Sequence, residues 1–367
     1  MRTFSQVGTP FVPGAELGRR FYAEAVRPLL DGEFPGLPHA AAHLGDGSDV
    51  LGYDTAMSRD HDWGPAVTLF LPDADAGWAP AIRSVLAARL PDRFLGYPTG
   101  FAVHPADPTS EVMTAGAADR RVRTTTVRAF ARRQLGWDPA DPLSAADWLS
   151  FPSQQLLGVT AGPVHHDGVG ELTRLRERLT WYPADVWRYL LAAGWTRLGQ
   201  EEHLMGRAGY AGDELGSAVI GGRLARDLMA LGFLLERRYA PYPKWFGTAF
   251  ARLDLAPALT PLLAELVAAP TWPERQDLYA TAAGLLVRRL NALDLCPPVD
   301  PRPRQFYQRP FWVIDGGRVA GVLVAAVRDP AVRRLTRRRL IGSVDQWSDS
   351  TDLKDGEFRA DVRRFYS

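Results

Sequence analysis

The residues best suited to chemistry lie in one run, Gly45-Asp-Gly47-Ser48-Asp-Val-Leu-Gly52-Tyr53-Asp54-Thr-Ala-Met-Ser58-Arg-Asp60-His61-Asp62. Gly47-Ser48 makes a small-residue turn whose backbone N–H groups can cradle a phosphate. Asp60 and Asp62 follow after a gap of 11 residues. On a strand, positions i and i+2 share one face, about 7 Å apart. Two carboxylates so placed can hold Mg²⁺, which takes oxygen ligands and fills its shell from substrate phosphates. His61 between them points to the opposite face and reads as packing. A phosphate cradle followed by paired metal carboxylates reads as nucleotidyl transfer.

Several elements must position these groups. Residues 14–31 show apolar residues at helical spacing, and Ala40–Leu44 is a short strand that ends at the glycine-rich turn. Asp49–Met57 reads as a short helix, and Asp60–Asp62 and Val67–Leu71 read as strands. Trp78–Leu90 is amphipathic, and Pro91–Asp119, rich in Pro, Gly and Asp, reads as an extended loop. Val122–Val127 and Leu156–Ala161 read as strands. From Gly170 to about Leu295 helical periodicity dominates, in runs such as Ala184–Leu198, Gly216–Tyr239 and Trp272–Leu293. The expected fold class is α+β, with an N-terminal domain over residues 1–165 built on a mixed sheet and a mainly helical C-terminal domain over 166–367.

Composition narrows the classes. The 367 residues suit two domains of ordinary size, and 46% hydrophobic with 23% charged residues are those of a globular protein with a sizeable core. A net charge of +1 gives no sign of a dedicated nucleic-acid or membrane surface. One cysteine, Cys296, excludes an intrachain disulfide framework. No apolar run approaches the roughly 20 residues that cross a bilayer, and no apolar leader opens the chain, so the expected location is the cytoplasm. Basic residues are almost all arginine, the two lysines being Lys244 and Lys354. The run Arg333-Arg334-Leu-Thr-Arg337-Arg338-Arg339 reads as a solvated helix face. Gly45-Asp-Gly47-Ser48 is too short for a dinucleotide fingerprint.

The Gly-Ser turn, the gap and Asp-x-Asp together resemble the signature of the polymerase-β-like nucleotidyltransferase superfamily, which includes the kanamycin, lincosamide and streptomycin nucleotidyltransferases. A narrower resemblance, to the bacterial family catalogued as domain of unknown function 4037, rests on four stretches. These are Gly47–Asp54 with Ser58–Pro65, Tyr239-Ala-Pro-Tyr242-Pro-Lys244-Trp245, Arg309-Pro310-Phe311 and Val344-Asp345-Gln346. The superfamily resemblance implies a polymerase-β-like fold in the first domain, nucleoside triphosphate at Gly47 and Ser48, and Mg²⁺ on Asp60 and Asp62. It also implies a third carboxylate on a neighbouring strand, for which Asp167 in His165-His166-Asp167-Gly168 is the candidate. A cation from the helical domain, Lys244, is the candidate contact to the triphosphate. The function so implied is Mg²⁺-dependent transfer of a nucleoside monophosphate, with ATP as the expected donor, to a hydroxyl or phosphate of a small molecule. Transfer to tRNA or protein, and a nucleotide-binding module that no longer turns over, stay open beside it.

Overall fold

A computed structural model describes residues 9–116, 119–354 and 356–367. It is mixed α and β, 55% helix against 11% strand, as the sequence led one to expect. The chain divides into two compact units: Met1–Pro142 with Gln154–Thr180, and Leu143–Ser153 with Trp181–Ser367. The expected cut after residue 165 falls inside the strand Val164–Asp167, within the first unit.

The first unit is built on a four-stranded sheet in the order Val122–Thr126, Val67–Leu71, Ala40–Ala42, Val164–Asp167. The first pair is parallel and the other two are antiparallel. Val67–Leu71 is buried along its whole length, which explains an apolar run without polar alternation. Phe70 meets Phe130 of the helix Val127–Leu135 edge to face at 5.3 Å. Leu69 and Leu71 share a core with Leu17, Phe21, Val26 and Leu30 of the segment Gly14–Glu33 and with Ile82 and Leu86 of the helix Ala79–Arg89. The helix Val127–Leu135 stops at Gly136, whose φ of +57° is the left-handed cap that glycine adopts freely.

Three local expectations are corrected. Residues 48–52 form a turn and Ala56–Asp60 a 3₁₀ helix, where a single short helix was expected. The stretch expected as a loop contains an antiparallel pair, Gly100–His104 with Asp107–Met113. Leu156–Ala161 belongs to the helix Ser153–Thr160 and not to a strand. Its apolar residues suit either period, and a short apolar run does not choose between them.

The second unit is helical, with Ala184–Tyr210, Glu214–Leu235, Pro243–Phe250, Ala256–Ala268 and Trp272–Asn291; the first of these runs well past Leu198, where its periodicity was read to end. The helix Gly316–Ala325 lies so close to Ala184–Tyr210 that a Cβ on Gly316 would stand 2.2 Å from the Trp195 carbonyl oxygen. Arg275 and Glu202 are the most deeply buried of the described charged side chains in this unit, at 2% and 3% exposed. Arg275 is held by Glu214, Ser217 and the Ala269 carbonyl, and Glu202 is held by backbone amides. Among the described residues no helix is long and apolar enough to cross a membrane. The arginine-rich run begins in the helix Pro330–Thr336 with its arginines exposed.

Candidate functional site

The strand Ala40–Ala42 delivers His43 to one end of the sheet, where the chain leaves it. His43 N donates to Pro163 O at 2.9 Å, and Gly45 N donates to Gly158 O at 2.9 Å. The turn that follows is closed by Tyr53 N donating to Ser48 O at 2.9 Å. Gly47 must be glycine, because a Cβ there would lie 2.1 Å from Oδ1 of Asp49. The amides of Gly47 and Ser48 donate to no protein acceptor among the described residues, so they are available to an anion.

Asp49 is the buried anchor of the turn, only 3% exposed. Its Oδ2 lies 2.7 Å from His43 Nε2, and its Oδ1 accepts from Val50 N at 3.0 Å. Burial pushes the Asp49 carboxyl up. His43, Arg121 and the Val50 amide together outweigh that and hold it below the usual carboxylate range. The far end of the loop is tied down by Asp54, whose Oδ2 accepts from Gly14 N at 2.7 Å and Trp63 Nε1 at 2.8 Å.

Asp60 and Asp62 stand in the same loop but not on a strand. Asp60 ends the 3₁₀ helix with its side chain 65% exposed, and its Oδ1 lies 3.1 Å from His61 Nδ1. Asp62 has φ +49°, a left-handed conformation that swings its Cβ away from the direction a strand residue would take. Asp60 and Asp62 are therefore not set on one face of a strand. Asp62 is instead docked on the hairpin: its amide donates to Glu111 O at 2.7 Å, and its Oδ1 accepts from Glu111 N at 3.0 Å. Arg121 Nη2 stands 3.9 Å from the same oxygen.

The sequence reading missed the charged groups that gather around these loops. Arg121 and Arg123 flank Val122 at the start of the strand Val122–Thr126, and both reach Glu111 Oε2, at 3.4 and 3.6 Å. Burial pulls the Arg121 pKa down from the ordinary guanidinium range, against the opposing pull of Asp49, Glu111 and Asp62. Arg133, on the helix Val127–Leu135, feels the charges of Arg123 and of Asp46 in the turn, and its neighbour Gln134 bonds Asp46 Oδ1 at 2.9 Å. Arg133 is exposed, and the carboxylate whose charge it feels is Asp46 of the turn. The Arg-x-Arg alternation of 121–123 was the available signal for this cluster.

Asp167 does not join the site. It pairs with Ala40 at the beginning of the strand whose other end leads to the Gly-Ser turn. Its oxygens accept from Gly170 N (2.8 Å), Thr173 N (2.9 Å) and Thr173 Oγ1 (2.7 Å), so it caps the helix Glu171–Arg178. Asp167→Ala should therefore lower stability by about 1 kcal/mol, as loss of a helix cap does. Any nucleotide-induced rise in melting temperature should be untouched. A variant with normal stability and a lost nucleotide response would return Asp167 to the site. His165 and His166 lie in the strand Val164–Asp167 and stack on Tyr22. Burial and nearby His43 push the His165 pKa down to about 4. Lys244 belongs to the second unit, in the first turn of the helix Pro243–Phe250, with its ammonium 5.1 Å from the ring centre of Trp245.

The donors present do not fit the expected Mg²⁺ site. One Asp60 oxygen is engaged by His61, one Asp62 oxygen by the Glu111 amide, and Asp167 caps a helix elsewhere. Among the described residues no group of three or more His, Cys, Asp or Glu side chains is arranged to hold a metal ion. What the arrangement offers is free amides and guanidinium groups, which are ligands for phosphate oxygens.

No curated protein and no solved structure matches the chain. The segment that matches a family, residues 148–246, includes Asp167 and Lys244 but begins after the Gly47–Asp62 loop. Over residues 148–246 the chain matches the family described as Domain of unknown function (DUF4037), the family its motifs resemble.

Proposed function

We propose that the first unit binds a nucleoside triphosphate at the Gly45–Ser48 turn and transfers its nucleotidyl group to a hydroxyl or phosphate of a small acceptor. One observation carries the reading: the unengaged Gly47 and Ser48 amides lie at the same end of the sheet as Arg123 and Arg133. Amides in a tight turn and guanidinium groups bind phosphate oxygens and stabilise a departing pyrophosphate. In the transfer, the acceptor oxygen bonds to the α-phosphorus. The bond from that phosphorus to the bridging oxygen breaks, and pyrophosphate leaves with the electron pair. The acceptor proton goes to Asp60, an exposed carboxylate whose partner is His61. The donors do not fit Mg²⁺, and each of these steps runs on the chain's own groups. Nucleoside triphosphates and a buried thiol, Cys296, both suit the cytoplasm.

A second reading is favoured by the docking of Asp62 on Glu111 and Arg121, which withdraws one of the two expected acids from chemistry. On that reading the unit binds nucleotide without turning it over.

Thermal melting with ATP, GTP, CTP and UTP tests the proposal. A nucleotide at 100 times its dissociation constant should add about 2.7 kcal/mol, and the shift should vanish in Arg123→Glu/Arg133→Glu, whose side chains are exposed and foldable as variants. Absence of a shift with every nucleotide would overturn it. Radioactive nucleotide supplied to a cell extract then separates the acceptors, since label moves to a small molecule, to RNA or to protein. Asp60→Asn should keep the melting shift and stop transfer. Binding with no label transferred in any fraction selects the second reading.

A further inference from the structure

The cation at the centre of the acidic loops is supplied by the chain. Arg121 stands among three carboxylates from three separate segments: Asp49 of the turn, Asp62 of the loop before the sheet, and Glu111 of the hairpin. Its Nε lies 3.4 Å from Glu111 Oε2 and its Nη2 lies 3.9 Å from Asp62 Oδ1, while Asp49 is its leading attractive charge. The arginine is not a mobile surface side chain. Its backbone carbonyl accepts from Val67 N at 3.1 Å, fixing it at the mouth of the sheet, and its guanidinium packs 5.4 Å from the ring centre of Phe101. Two polar atoms in this group are buried without a hydrogen-bond partner, Arg121 Nη1 and Glu111 Oε2. Buried polar atoms are nearly always satisfied, so a spare donor beside the phosphate turn has the chemistry of a phosphate contact.

We infer that the Arg121 guanidinium takes the place of a protein-held divalent metal in this site, neutralising Asp49, Asp62 and Glu111 and offering Nη1 to the phosphate of the bound nucleotide. Like charge explains the exclusion. A divalent ion brought to Asp62 would stand next to Arg121 and Arg123, and the oxygens it needs are already shared with Arg121 and with the Glu111 amide. The inference deepens the nucleotide reading, on which its phosphate contact rests. The exclusion of metal stands on the arginines and the carboxylates they engage, without the nucleotide.

The test uses the full chain and two probes. Mn²⁺ alone, titrated calorimetrically, should show no binding tighter than about 1 mM to the wild type or to Arg121→Lys, which keeps the charge. Arg121→Ala leaves Asp62 and Glu111 without their shared cation and should gain Mn²⁺ affinity at least about tenfold, 1.4 kcal/mol, an effect a merely structural arginine would not give. ATP should raise the melting temperature equally in EDTA and in Mg²⁺, with dissociation constants within about threefold, and Arg121→Lys should weaken it in both. Wild-type Mn²⁺ binding that Asp62→Asn removes would overturn the inference, even if Arg121→Ala fails to fold. So would an ATP shift that disappears in EDTA. If no nucleotide shifts the melt under any condition, the proposed function fails, while the Mn²⁺ titration still decides what stands between the carboxylates.

Discussion

Asp49→Ala is expected to destabilise the protein by about 3–5 kcal/mol, the loss that follows when one partner is removed from a buried ion pair, and to abolish any stabilisation by nucleotide. Both effects come from one place. Asp49 is almost fully buried, bonded to His43 and Val50, beside Arg121, and pressed against the Cα of Gly47. Without it, His43 loses its partner, Arg121 loses its leading counter-charge in a buried position, and the turn loses the group that sets its shape. Asp49→Asn keeps the volume and tests the charge alone. Because the Asp49 pKa is held below its ordinary 3.8, its contribution is present above that value and disappears as pH falls through the folded pKa. The wild type should therefore lose stability in acid more steeply than Asp49→Asn. Urea unfolding at pH 7 and in acid measures both, and a cost under about 1 kcal/mol would show that the turn does not depend on Asp49.

The second large effect is a pH dependence in the helical unit. Glu202 is 3% exposed. Its Oε2 accepts from Ile314 N at 2.7 Å and Tyr279 Oη at 3.3 Å, and its Oε1 accepts from Gly316 N at 3.0 Å. Burial dominates these three donors and pushes the carboxyl up from 4.5 to about 7. The folded state therefore keeps a proton that the unfolded state releases. The stabilisation is complete below about 4.5 and is lost as pH rises through about 7, a change of about 3 kcal/mol. Glu202→Gln does not titrate, and its amide nitrogen faces a backbone donor, so it should be less stable than wild type at pH 5. That deficit should shrink by about 3 kcal/mol by pH 8. Urea midpoints for both proteins at pH 5, 6, 7 and 8 give the difference directly. Parallel curves would mean that Glu202 is charged throughout, carried by its three donors.

Most helices between Gly170 and Leu295 were legible in the sequence because they bury one face, while Ala184–Tyr210 is buried nearly all round from Val186 to Trp195. Their apolar residues recur at the helical period whatever the neighbours are. The strand Val122–Thr126 was legible from its own β-branched residues, and Gly136 marks the end of the helix after it by chirality alone. The Gly-Ser turn was also local: its tightness follows from Gly47, and its free amides follow from the turn itself. Leu156–Ala161 went the other way, since an apolar run buried on several sides carries no period to read.

The sequence also specified that carboxylates follow the turn, but not what they do. That depended on the conformation of single residues and on contacts between distant ones. A φ of +49° at Asp62 breaks the i, i+2 rule, because that rule holds only while consecutive residues are extended. Asp62 meets Glu111 only because the hairpin 100–113 docks beside the loop, and Arg121 reaches both because Val122 is in register with Val67. Asp167 was drawn away from the site by strand register, which sets it opposite Ala40 and leaves it free to cap a helix. Spacing along a chain determines which residues share a face of one element. Which charges become neighbours is decided by how separate elements pair, and in this protein that pairing set an arginine among the acids.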